Sequence, residues 1–344
     1  MAAARPPAMS DVAALAGVSH QTVSRVLNNH PSVRPETRAR VLEAISTLGY
    51  RRNVAARTLV TRRSGTVGVI TSGSALFGPT STFIAVEHAA RERGLFVSVA
   101  TVLELTEETV RLALEHFMSQ GVDGAVVIAA QDDAIAAVRS FDAPVPVVVV
   151  GPRDLPPGSV HAVAVDHYLG ARLATRHLIG LGHRRIAHLA GPQDWIEGRE
   201  RVRGWRDELG EAGLPVPDPI PGSWDAGRGY DVGRVLVAGD LPDAVFAAND
   251  QLALGLLHAF TEAGVRVPEQ VSLVGFDDIA GSAHFSPPLT TVRQEFEALG
   301  RSCLRMLHAA IAGEPVGAEV IEPHLVVRAS TAPPASRAPA ATPA

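Results

Sequence analysis

From Thr66 onward the sequence alternates two periodicities that few architectures can accommodate. Short β-branched runs at 67–71, 97–102, 124–129, 145–150, 186–190, 244–248 and 271–275 are separated by amphipathic stretches near 81–93, 107–120, 166–181, 196–212 and 249–263. Strands that are apolar throughout, joined by helical crossovers, predict βαβ units with parallel sheets covered on both faces. Gly94, Gly121, Gly182 and Gly264 fall where helix C-terminal caps are expected. More than ten such elements exceed one small sheet, so two α/β lobes are expected, dividing near Val163–Asp166.

The first 64 residues are of another kind. They hold ten Arg against Asp11, Glu36 and Glu43, a balance of +7, which leaves −12 on residues 65–344 of a chain whose net charge is −5. A basic head on an acidic body points to a polyanionic partner for the head alone. Residues 9–50 read as three short helices. The first runs from Met9 or Ser10 to Ala16 with Ser10 as its cap, Gly17 makes a tight turn, and Ser19 caps a second helix over His20–Asn28. Pro35 opens a third, which ends near Gly49. Residues 51–64 form an Arg-rich linker with a short helix over 54–59, and the Pro/Ala-rich segment from Thr331 reads as a disordered tail.

Ala13, Gly17 and Val23 carry the packing logic of a helix-turn-helix: a small residue where helices cross, glycine at the turn, and a β-branched residue closing a small core. The stretch DVAALAGVSHQTVSRVLN, continued by VRPETRARVLEAISTLGY, resembles the DNA-binding head of the lac repressor (LacI/GalR) family. The likeness extends to about residue 330 through HLAGP at 188–192, FAANDQLALG at 246–255, and VGFDD with PPLTTV at 274–292. It implies a multidomain protein: an all-α head at 1–50, a hinge at 51–64, and a two-lobed α/β core with parallel sheets at 65–330, similar to periplasmic sugar-binding proteins. Lobe 1 is expected at 65–164 and 293–322, lobe 2 at 165–292 and 323–330.

In that family the second helix lies in the major groove. The resemblance makes His20, Gln21 and Arg25 base readers, since Gln suits adenine and Arg guanine. It gives Ser10, Ser19, Ser24, Asn28 and Thr37 phosphate contacts, and adds Tyr50, Asn53 and Ala56 to the DNA-contacting set. Leu59 matches the leucine that wedges between base pairs in the minor groove. Arg52 stands where the family often has proline before the hinge Asn.

For the body, the resemblance implies a sugar site of planar polar groups and aromatic faces: Ser72, Arg201, Trp224, Asn249, Asp277 and Phe296. Plainer roles compete. Asn249 and Asp277 suit turns or caps, Arg201 sits among Arg199, Glu200 and Arg203 on what reads as a solvated helix face, and Phe296 shares a stripe with Leu299, Cys303 and Met306. Many relatives place an acid near position 151, where this chain has Gly151, Pro152 and Arg153; Asp132 or Asp133 is the expected substitute. Trp195 and Glu197 stand where close relatives carry small residues, so a reshaped pocket is expected.

One cysteine, Cys303, excludes an internal disulfide and a thiolate metal site. No His pair beside a glutamate, phosphate-cradling loop or nucleophile elbow is present, so catalysis, metals and cofactors are not expected. MAAARPPA lacks a signal-peptide core and no apolar run approaches the roughly 20 residues of a membrane span. The expected protein is a cytoplasmic homodimer, because no leucine-repeat helix follows Ser330. It would release a palindromic operator when a mono- or oligosaccharide binds. A purine-type corepressor and a transport-type sugar-binding protein are the alternatives; the helix-turn-helix opposes the second.

Overall fold

The computed structural model describes residues 5, 7–50, 63–73, 75–129, 131–152 and 161–334. The chain divides into two compact units, residues 1–64 and 65–344.

The first unit packs three helices, α1 (Met9–Ala16), α2 (His20–Leu27) and α3 (Pro35–Leu48), around Val12, Ala13, Val23, Val26, Val41, Ala44 and Tyr50. Val12, Val23 and Val41 are fully buried, so β-branched side chains close the core where the sequence placed them. Gly17 takes φ 60°, a conformation that L side chains rarely adopt, and ends α1 sharply enough for α2 to pack back on it. Ser19 caps α2 as expected, accepting from the Thr22 amide at 3.2 Å. Ser10 does not cap α1. The cap position is Ala8, whose amide donates to Asp11 Oδ2 at 2.7 Å, and Ser10 lies exposed inside the helix. Arg38 ties α3 to the end of α2, donating to Asn29 Oδ1 at 3.1 Å and the His30 carbonyl at 2.9 Å.

The second unit holds two sheets. The strands of lobe 1 are β1 (Thr66–Ser72), β2 (Phe96–Val102), β3 (Gly124–Ile128), β4 (Val147–Val150), β5 (His161–Val165) and β10 (Ala318–Ile321), ordered β10-β5-β4-β3-β1-β2 and all parallel. Ile70 pairs with Val127, and Val127 with Val149, so an apolar row crosses the sheet. Helices α4 (Phe77–Glu92) and α11 (Phe296–Ile311) cover one face, and α5 (Glu107–Gln120) and α6 (Asp132–Ser140) the other.

Lobe 2 contains β6 (Ile186–Leu189), β7 (Ala244–Ala247), β8 (Ser272–Asp277), β9 (Thr290–Arg293) and β11 (His324–Val326), ordered β11-β9-β8-β7-β6 with only the β11–β9 pair antiparallel. It is covered by α7 (His167–Gly180) and α8 (Ile196–Glu211) on one side and α9 (Ala226–Ala238) and α10 (Asp250–Glu262) on the other. The chain passes between lobes after β5, between β9 and α11, and between β10 and β11. Three crossings side by side allow two parallel-sheet lobes to hinge while their strand ends face a common cleft.

Disorder does not begin at Thr331. Its Oγ1 lies 2.9 Å from His177 Nε2, and the Ala332 amide and carbonyl both meet Ser272 Oγ at 3.1 Å. Ser330, fully buried, anchors this run to lobe 2, and residues 335–344 lie outside the described residues. Among the described residues no helix is long and apolar enough to cross a membrane.

Candidate functional site

Two surfaces carry the sequence-derived candidates. On the head, His20 and Gln21 are the first two residues of α2, and both are exposed, as are Ser10, Ser19, Arg25 and Asn28. Ser24 and Thr37 are half-buried. One turn of helix separates Gln21 from Arg25, so both project from the same exposed face, where neither fills the core. Tyr50 does not belong with them: at 8% exposed it closes the head core behind Val41 and Ala44. Asn53, Ala56 and Leu59 lie outside the described residues.

In the second unit a cleft of about 550 Å³ opens between the strand ends of the two lobes. Lobe 1 contributes apolar and hydroxyl-bearing groups, including Leu76, Pro79, Thr82, Ile128, Val150, Gly151 and Phe296. Lobe 2 contributes His167, Trp195, Glu197, Arg201, Trp224, Asn249, Asp277 and Gln294. Five of the six proposed ligand residues therefore meet here. Ser72 does not border this cleft; it borders a neighbouring cavity of about 540 Å³ with Glu104, Gln131, Asp132, Trp195 and Arg199.

Arg201 is the centre of the lobe-2 wall. It rises from α8 and is only 4% exposed, which removes the competing reading of a solvated helix face. Nη1 donates to the Ala248 carbonyl, Nη2 lies 3.3 Å from His167 Nδ1, and Asp277 Oδ1 stands 3.7 Å from Nη2. Its guanidinium carbon is 3.8 Å from the Phe276 ring centroid and 5.4 Å from that of Trp224. A flat, delocalised cation suits such a slot between aromatic faces. Burial, reinforced by the Arg201 charge, holds His167 well below the usual imidazole range, so a neutral ring nitrogen is available to accept.

Asp277 ends β8 with φ 109°. That strained backbone aims its carboxylate along the cleft floor, where Gln294 Nε2 donates to it at 2.7 Å. Burial pushes its carboxyl up to about 6, with Arg201 and Gln294 pulling the other way. Glu197, in the first turn of α8, is pushed up to about 7, again chiefly by burial. Asn249 caps α10, accepting from the Leu252 amide at 2.8 Å, while its Nδ2 donates to the Trp224 carbonyl at 3.1 Å. The capping role and the cleft position thus coincide.

Trp224 lies close over the end of β6: a Cβ on Gly191 would come within 2.2 Å of its ring, so glycine is required beneath the indole. Its ring meets Trp195 edge-on at 5.7 Å. Phe296 packs edge-on against Phe77 at 5.7 Å and joins the lobe-1 core, so it is both a core residue and a wall of the cleft. Asp132 does not stand in for an acid at position 151. It is drawn to Arg199 of lobe 2, 2.8–2.9 Å away, in the neighbouring cavity. His167 and Gln294 were missed by sequence reasoning; Gln294 follows a four-residue strand too short to announce a site beyond its end.

Comparison with known proteins agrees with the fold. The family model described as bacterial regulatory proteins, lacI family, matches residues 8–53, and that of a periplasmic binding protein-like domain matches residues 175–331. The lactose operon repressor of Escherichia coli K12 is 35% identical over 333 residues, 96% of this chain and 92% of that protein. The transcriptional regulator CelR of Thermobifida fusca is 40% identical over 345 residues, 95% and 98% of the two chains. Among solved structures, a lac repressor dimer bound to operator and the anti-inducer ONPF superposes with a TM-score of 0.85 at 34% identity, covering 95% of this chain and all of that one. A CelR–cellobiose complex gives 0.70 at 37% identity, covering 94% and 99%. A three-helix head, a two-lobed core and full-length relatives converge: the chain belongs to the lacI family of bacterial regulatory proteins and is a DNA-binding transcriptional repressor.

Proposed function

We propose that this repressor works in the cytoplasm as a homodimer on a palindromic operator near carbohydrate-utilisation genes, and that a sugar entering the cleft releases it. In this reading His20, Gln21 and Arg25 read base edges, and Ser10, Ser19, Ser24, Asn28 and Thr37 fix the register on phosphate. The linker at 51–64 carries the hinge, with Leu59 as the minor-groove wedge. The cleft binds rather than transforms its ligand.

The observation that carries the sugar assignment is the lobe-2 wall itself. Arg201, Asp277, Asn249 and Gln294 present planar polar groups side by side, beside the Trp224 indole. Adjacent hydroxyls of a pyranose are met by paired planar donors and acceptors, and its C–H face by an aromatic ring. Relatives named for the lactose operon and crystallised with cellobiose support the same ligand class. Ligand bound between the lobes couples to the head by favouring one lobe arrangement, a shift limited by its differential affinity for the two.

The test is an operator mobility shift with the palindromic site of its own promoter, titrated with cellobiose, lactose and hypoxanthine. Release by a disaccharide is expected. Tightening by hypoxanthine alone would establish a corepressor instead, and no shift on any such site would sink the operator assignment.

A further inference from the structure

Among the described residues, every charged side chain bordering the cleft comes from lobe 2. Two of its three carboxylates are already committed. Asp277 accepts from Gln294 and faces Arg201. Asp225 caps α9, accepting from the Arg228 amide at 2.9 Å. Glu197 is different. It borders both the cleft and a small chamber beneath Gly151 and Pro152, and its Oε2 is buried with no hydrogen-bond partner among the described residues.

Facing Glu197 are Asp166 and His167 from the start of α7, Asp277 from β8, and Arg199, Glu200 and Arg201 on its own helix. None of them bonds Oε2. A buried carboxylate oxygen without a donor is costly to keep, and native proteins leave few such groups. An acidic residue in the first turn of a helix gains from the macrodipole, but that benefit does not require burial in a cleft.

We propose that Glu197 is a specificity-determining residue of the effector site, accepting a hydroxyl that the ligand presents toward the Gly151 edge. The inference rests on the sugar reading above. It narrows the ligand to a unit with a hydroxyl group directed at that edge, and it disfavours flat heterocycles whose edge there would be an acceptor. Lobe 1 then serves as the apolar wall through Ile128, Val150 and Phe296, while lobe 2 bonds the hydroxyls.

The experiment titrates the full chain with cellobiose, following Trp195 and Trp224 fluorescence, for wild type, Glu197→Gln and Glu197→Ala, with melting midpoints recorded without sugar. Loss of a hydrogen bond to a charged acceptor weakens binding by about tenfold to a hundredfold. The expected result is that loss for Glu197→Ala, with a melting midpoint equal to or above that of wild type, because a buried carboxyl oxygen without a partner has been removed. A monodeoxy cellobiose series then identifies the hydroxyl: its removal costs about tenfold in wild type and nothing in Glu197→Ala. Unchanged affinity in both variants overturns the proposal, as does a fall in melting midpoint that accounts for the lost affinity, since that marks a structural residue. Wild type that binds no disaccharide overturns the sugar reading itself, which is a different result from binding that ignores Glu197.

Discussion

Arg201 Nη2 stands 3.7 Å from Asp277 Oδ1, and the two side chains are 4% and 7% exposed. The pair joins α8 to the end of β8, and both residues line the cleft, so it is a structural tie and part of the cleft wall at once. Removing one partner leaves the other charge buried alone, which costs about 3–5 kcal/mol. Asp277→Ala is therefore expected to lower the melting midpoint and to abolish release of operator by sugar. Asp277→Asn keeps an acceptor for Gln294 but still leaves the Arg201 charge without its counter-ion, so it should recover only part of the stability and none of the sugar response. A normal response in Asp277→Asn would show that the carboxylate does not touch the effector.

Gly191 offers a cleaner way to disturb the aromatic wall. The Gly191→Ala methyl would meet the Trp224 ring at 2.2–2.8 Å, and the indole must move because the glycine backbone is part of the strand end. Stacking of a sugar face on an aromatic ring is comparable to an aromatic pair, about 0.5–1.5 kcal/mol. Cellobiose binding measured by calorimetry is expected to weaken about tenfold. Retained affinity would place the ligand away from Trp224.

Asp250 makes the core of lobe 2 sensitive to pH. It is fully buried, accepting from Thr291 Oγ1 at 2.6 Å and from the Ile279 amide at 2.9 Å, and burial, with Asp277 nearby, pushes its carboxyl up to about 8. A folded value above the unfolded one means that the folded state holds the proton more tightly. Its contribution to stability is then complete below about pH 4 and is lost as the pH rises toward about 8. Wild type is expected to lose about 3–6 °C more in melting midpoint than Asp250→Asn between pH 5 and pH 8. Parallel pH curves for the two proteins would contradict a protonated Asp250.

Much of this was legible before the structure, for identifiable reasons. Runs such as VVVV at 147–150 are apolar on both faces because their sheet is covered on both faces, and Ser19 and Gly17 have local roles that need no tertiary context. Elements that depend on a partner were not legible. Helix α9 carries glycines at 227, 229 and 233 and is not among the helical stretches the sequence predicts. Gly229 and Gly233 are instead where α10 approaches: a Cβ on Gly229 would lie 2.2 Å from the Leu252 carbonyl and one on Gly233 2.6 Å from the Ala259 methyl. The strands at 318–321 and 324–326 are too short and exposed to show a period, and exist because the chain crosses between two sheets there. At the site, residue types could be read but burial could not. Nothing in the charged run around Arg201 announces that its guanidinium lies between Phe276 and Trp224 while Arg199 reaches across to Asp132.

Exposed side chains and framework roles sit next to each other at the start of α2. Gln21 and Arg25 are exposed and make no contribution to the core, whereas Ser19 is exposed but bonds the Thr22 amide. Alanine at Gln21 or Arg25 should leave the head folded. A lost bidentate contact costs about 1–3 kcal/mol of discrimination, so each variant is expected to bind operator about tenfold to a hundredfold more weakly. Binding to a scrambled duplex at the same salt should change far less for Gln21→Ala, which removes no charge. Ser19→Ala removes a cap worth about 1 kcal/mol and a phosphate-reach hydroxyl together, so it should lower the melting midpoint of the head and weaken both duplexes alike. Paired mobility shifts on operator and scrambled DNA decide the assignment. Equal losses on the two duplexes for Gln21→Ala would mean that α2 holds the backbone at that position and reads its sequence elsewhere.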